Sequence, residues 1–78
     1  MVEFEIYFNS VENSCRTYRT TENASEIEKT IFNAVAWGFE QDVETAIECA
    51  SWAELATDGE TWENNDITII CNEWEEWA

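Results

Sequence analysis

Residues 2–9 alternate strictly, with Val2, Phe4, Ile6 and Phe8 in one set and Glu3, Glu5, Tyr7 and Asn9 in the other. A period of two held over eight residues fits a β-strand with one buried and one wet face, because successive side chains of a strand point to opposite sides. Such a strand needs a sheet, and the sheet needs a layer to cover its apolar side. Ser10 to Asn13 supplies a mostly polar turn, and a Thr- and Tyr-rich segment from Ser14 or Cys15 to Thr20 reads as the second arm of a hairpin.

The covering layer is helical. Asn23 and Ser25 are both placed to cap a helix, with Glu26 and Glu28 three residues on in the capping-box position. Ala24, Ile27, Ile31, Ala34 and Val35 recur at spacings of three and four, and Gly38 is a suitable stop. A second helix is expected from about Asp42 to Ala50, with Val43, Ala46, Ile47 and Ala50 on one face. Ser51-Trp52-Ala53-Glu54 reads as a new capping box, so a break near Ser51 and a short extra turn to Ala56 are expected. Asp58-Gly59 is a turn. Asp66 to Asn72 is a nearly continuous apolar run, which predicts an interior strand. Residues 60–63 are its short partner, with Asn64-Asn65 between them. Residues 73–78 are read either as extending the strand or as fraying. The expected fold is one α+β domain over residues 1–78. It has an antiparallel sheet of three or four strands with two helices on one face, in the order β-β-α-α-β-β.

With 78 residues the core is thin, since a chain this short buries only about 60% of the surface its unfolded form exposes. Against that core stands a net charge of −15, from 18 acidic and 3 basic residues with no His. The hydrophobic fraction of 45% nevertheless separates the chain from disordered acidic tails. Direct binding to nucleic-acid phosphate is disfavoured, and anionic membranes repel the chain. No stretch approaches the roughly 20 apolar residues of a membrane span, and Met1-Val2-Glu3-Phe4-Glu5 is acidic where a signal peptide would be basic. Cys15, Cys49 and Cys71 are odd in number and widely spaced, which reads as free thiols in a reducing cytoplasm rather than a disulfide framework.

No catalytic motif, cofactor or metal site is expected. Proton transfer has no His to use, and no glycine loop is present to hold phosphate. Lys29 reads as a partner of Glu26 one turn earlier. Asp58-Gly59-Glu60-Thr61-Trp62-Glu63 has the outline of a calcium loop, but Glu63 stands where glycine is required and Ile69 where the closing Glu belongs.

Charge is therefore the main pointer to function. Residues 1–37 hold six acids and all three basic residues, Arg16, Arg19 and Lys29; residues 38–78 hold twelve acids and no cation. Glu40-Glu44-Glu48 is a like-charge row at helical spacing, each such pair unfavourable by roughly 0.2–0.5 kcal/mol. A surplus beyond what solubility needs is either a tolerated solvated face, as in halophile adaptation, or a surface meant for a cationic partner. Carboxylates about 6 Å apart on a helix, or about 6.6 Å apart on alternate strand positions, approximate the charge repeat of a nucleic-acid backbone.

Five Trp accompany the acids. Trp37 and Trp52 are expected to pack over the sheet, while Trp62, Trp74 and Trp77 are interleaved with Glu60, Glu63, Glu73, Glu75 and Glu76. They are read either as core bulk or as exposed anchors.

In size, charge, α+β reading and acidic second half the chain resembles the small acidic inhibitors of phages and mobile elements, the DNA-mimic antirestriction and anti-CRISPR proteins. The resemblance implies a non-enzymatic inhibitor in a bacterial host's cytoplasm. It would occlude the basic groove of a CRISPR effector or, second, a restriction enzyme. The expected partner-binding residues are Glu40, Glu44, Glu48, Asp58, Glu60, Trp62, Glu63, Asp66, Glu73, Trp74, Glu75, Glu76 and Trp77. The alternative is an acidic protein–protein module or homodimer that uses exposed Trp and a sheet edge.

Overall fold

In the computed structural model, which describes residues 1–73, the alternating segment is strand β1 (Val2–Phe8), and β2 (Arg16–Thr20) returns beside it. Ser14 ties the hairpin connection, its hydroxyl accepting from the Phe8 N–H at 2.9 Å and donating to the Val11 carbonyl at 2.8 Å. Strand β4 (Ile67–Glu73) pairs antiparallel with all of β1, from Val2 opposite Glu73 to Phe8 opposite Ile67. Strand β3 (Thr61–Glu63) lies outside it, so the sheet order is β2-β1-β4-β3 and β4 is interior, as its apolar run predicts. Asn64 makes the expected turn by accepting from the N–H groups of Asp66 and Ile67, both at 2.8 Å.

Helix α1 (Ala24–Asn33) starts at Asn23, whose side chain accepts from the N–H groups of Ser25 at 2.9 Å and Glu26 at 3.2 Å. Ile27 and Ile31 enter the core. The helix then widens into a π-helical turn, Ala34–Gly38, in which the Phe39 N–H reaches back to the Ala34 carbonyl at 2.9 Å. The wider turn rotates the side chains beyond it relative to those of α1. Trp37, expected over the sheet, is 76% exposed, and Phe39 occupies the interior, with its ring 4.8 Å from Phe8 and the Arg16 guanidinium 5.8 Å from its centre. Gly38 passes close to β2, where an added Cβ would stand 3.1 Å from the Tyr18 hydroxyl.

Helix α2 (Val43–Leu55) is capped by Asp42, which accepts from the Thr45 N–H at 2.8 Å. That hydrogen bond holds the Asp42 carboxyl below the usual range. The helix runs unbroken through Ser51, so the expected interruption does not occur. Its buried face is Ala46, Cys49, Ala50 and Ala53, rotated from the expected stripe, and Val43 and Ile47 are 60% and 53% exposed. Small side chains on the inner face let the helix lie close to its neighbours, while half-buried Trp52 meets Phe4 edge-on with ring centres 6.2 Å apart.

The two helices cover the sheet face that carries Val2, Phe4, Ile6, Ile67, Ile69 and Cys71, and these residues form one core with Ile31, Val35 and Phe39. Gly59, at φ +88°, returns the chain from α2 to β3, its N–H donating to the Cys71 carbonyl at 2.7 Å.

Candidate acidic docking surface

The sheet order converts the lopsided sequence into a lopsided body. β2, one edge, carries Arg16 and Arg19, and α1, which carries Lys29, packs against it. β3 is the other edge. Between Glu40 and Glu73, spanning α2, β3 and β4, the chain has ten acids and no cation.

Eight of those acids fall in three stretches, with Asp42 and Glu54 apart from them. Asp58, Glu60 and Glu73 meet where the chain enters β3 and leaves β4. The Asp58 carboxylate accepts from the Glu73 N–H at 2.8 Å, and the Glu60 carboxylate accepts from the Thr57 N–H at 2.7 Å. Their proximity is felt by Cys71 behind them. Burial, then the charges of Glu73, Asp58 and Glu60, push its thiol up to about 11. Glu63 and Asp66 lie at the turn end of the β3–β4 hairpin, Glu63 about 10 Å from Glu60 along β3 and Asp66 about 20 Å from Glu73 along β4. Glu44 and Glu48 stand exposed on α2, one turn apart, but Glu40, expected as the first member of that row, lies before the helix at a positive φ of 55° and does not continue its spacing.

Trp62 pairs with Ile69 and is half-buried on the helix-covered face, where it packs against the core. Trp74, Glu75, Glu76 and Trp77 lie outside the described residues.

Several features escape sequence reasoning. On the uncovered sheet face Glu3 pairs with Arg19 at 3.0 Å, an exposed bridge of small worth, and Glu5 accepts from the Asn72 amide at 3.3 Å. The alternation of β1 places these two acids on one face, but their partners follow only from which strands become neighbours. Lys29 forms no ion pair with Glu26 among the described residues; it lines a groove of about 370 Å³ between α1 and α2, with Phe32, Ile47 and Ala50 as apolar lining. Exposed Ile47 and Val43 could not be foreseen from a stripe that looked like core.

Among the described residues no group of His, Cys, Asp and Glu is arranged to hold a metal ion, and no helix is long and apolar enough to cross a membrane. Cys15 is exposed, while Cys49 and Cys71 are buried and unpaired. Burial, with Glu48 adding to it, raises the Cys49 thiol to about 12. Since the thiolate is the reactive form, a disulfide reagent at neutral pH should label Cys15 rapidly and Cys49 and Cys71 only after unfolding. Equal native labelling of all three would contradict this core. Compared with family models, curated proteins and solved structures, the chain matches none.

Proposed function

We propose that the protein is a non-enzymatic inhibitor that presents an anionic, nucleic-acid-like surface to the basic groove of a DNA- or RNA-binding defence protein. The observation that carries this reading is the run of ten acids without a cation across α2, β3 and β4. Three internal cations cannot neutralise eighteen acids, so the compensating charge must come from solvent ions or from a partner. A groove built for phosphates supplies Lys and Arg at suitable intervals and gains long-range steering toward such a surface. Occlusion needs no chemistry: the inhibitor occupies the groove and nucleic acid is excluded. A CRISPR effector in a bacterial cytoplasm is the first candidate target and a restriction enzyme the second.

The test is displacement of labelled DNA from such a target. The triple variant Asp58→Asn, Glu60→Gln, Glu73→Gln and the double variant Glu44→Gln, Glu48→Gln remove charge at nearly constant shape. At least one should weaken displacement by about tenfold or more, the scale of one or two lost charge-assisted contacts. Full potency in both would overturn the reading.

Exposed Trp37 and Leu55 favour a second reading, an interaction module or homodimer held by apolar contacts. In that case Trp37→Ala would impair binding more than either set of amides.

A further inference from the structure

On the outer side of the helix layer, apolar side chains and a pair of like charges lie edge to edge. Phe32 of α1 and Ile47 and Ala50 of α2 line the groove of about 370 Å³, and Val43 stands one helical turn before Ile47. Val43 and Ile47 are more than half exposed, so this is not core that happens to reach the surface. Ile47 and Ala50 line the groove, and at 100° per residue Val43 falls on the same side of α2, while Glu44 and Glu48 form the crest beside it. The two walls differ. The α1 wall carries Glu28 and Lys29, which nearly cancel, whereas the α2 lining is apolar and the charged side chains of that helix are all carboxylates.

We propose that this groove seats an amphipathic helix of the partner protein. The guest would be apolar along its inner side and would carry Lys or Arg along the edge facing α2. The inference deepens the proposed function and rests on it. Packed helices lie about 8–10 Å apart, so two neighbouring helices leave an outer furrow that a third can occupy, as in helix-in-groove recognition. Charge complementarity selects the guest. A second copy of this chain would set Glu44 and Glu48 against another anionic surface, and nucleic acid would be repelled. A basic helix removes the like-charge repulsion along α2 and covers Val43 and Ile47 in the same step. The groove thus adds a short-range, pattern-reading contact to the long-range attraction of the acids.

The test uses the whole chain, isotope-labelled for NMR, and two synthetic peptides of about 18 residues with the same Leu and Lys content. One places Leu at helical spacing and Lys on one flank; the other is scrambled. At about 150 mM salt the patterned peptide should bind at least about tenfold more tightly, with shifts concentrated in residues 28–33 and 43–50. The double variant Val43→Ser, Ile47→Ser alters only exposed side chains, and its unchanged melting temperature would show an intact fold. It should lose the preference for pattern while keeping weak, salt-sensitive binding. Equal affinity for both peptides, shifts spread over other surfaces, or an unaltered preference in the double variant would overturn the groove and leave the anionic inhibitor standing. Failure of both peptides to bind even at low salt would remove the anionic reading as well.

Discussion

Replacing Phe4 by Ala should lower the free energy of unfolding by about 3–5 kcal/mol, the usual cost of emptying an aromatic site in a packed core. Phe4 is fully buried on a central strand, between Tyr18 on one neighbour and Cys71 on the other, with the Trp52 edge against its ring. A domain of this length has a total stability of only about 4–12 kcal/mol. The variant should therefore populate its unfolded state measurably at room temperature. Urea unfolding followed by Trp fluorescence reports it, since Trp52 lies at the altered site. Leu55→Ala is the control: 84% exposed, it should shift stability by less than about 0.5 kcal/mol. A loss below about 1 kcal/mol for Phe4→Ala would mean the core is not organised around β1.

Salt should act on the free protein and on its complex with opposite signs. With a net charge of −15 the free domain repels itself, and raising salt from low to about 0.5 M screens that repulsion. Every 1 kcal/mol regained raises the melting temperature of a domain this size by about 4–8 °C, so an increase of that order is expected. The complex should weaken instead. If six or more cationic contacts are made, affinity should fall by about a thousandfold between roughly 50 and 200 mM salt. Measuring melting temperature and affinity in one salt series checks both. A complex indifferent to salt would contradict electrostatic occlusion. A melting temperature indifferent to salt would mean that self-repulsion is not a significant cost in the free fold. Mild acid adds a separate effect at Asp42. Its lowered carboxyl value means its capping contribution persists above the ordinary Asp range and is lost as pH falls through the lowered value.

Strands and turns were legible because their signals are local. The alternation of residues 2–9 and the apolar run before Asn72 each specify one conformation, and Asn23, Asp42 and Asn64 have the side chains that helix starts and tight turns require. The face of α2 was not legible. Val43, Ala46, Ile47 and Ala50 make a good stripe by hydrophobicity, but Ala46, Cys49, Ala50 and Ala53 permit closer approach, and closeness depends on what lies opposite. Trp37 was misplaced for a related reason: a π-helical turn shifts the phase of the helix beyond it, and no residue type announces one. Acid identities were plain from the chain, but their grouping was not, because it depends on which strands become neighbours. Trp62 belongs with the core because its register partner is Ile69.

The longest pairing in the sheet joins the segment synthesised first to the one synthesised last among the described residues, Val2 to Glu73. A nascent chain can close the first hairpin and wind both helices early, yet β1 has only one neighbour until β4 arrives. Phe4 and Ile6 lack the flanking side chains of Ile69 and Cys71 until that strand joins. Long-range closure of this kind slows folding relative to a fold of the same size built from local contacts. Until β4 docks, the partly folded domain should thus be open to proteases and holding chaperones.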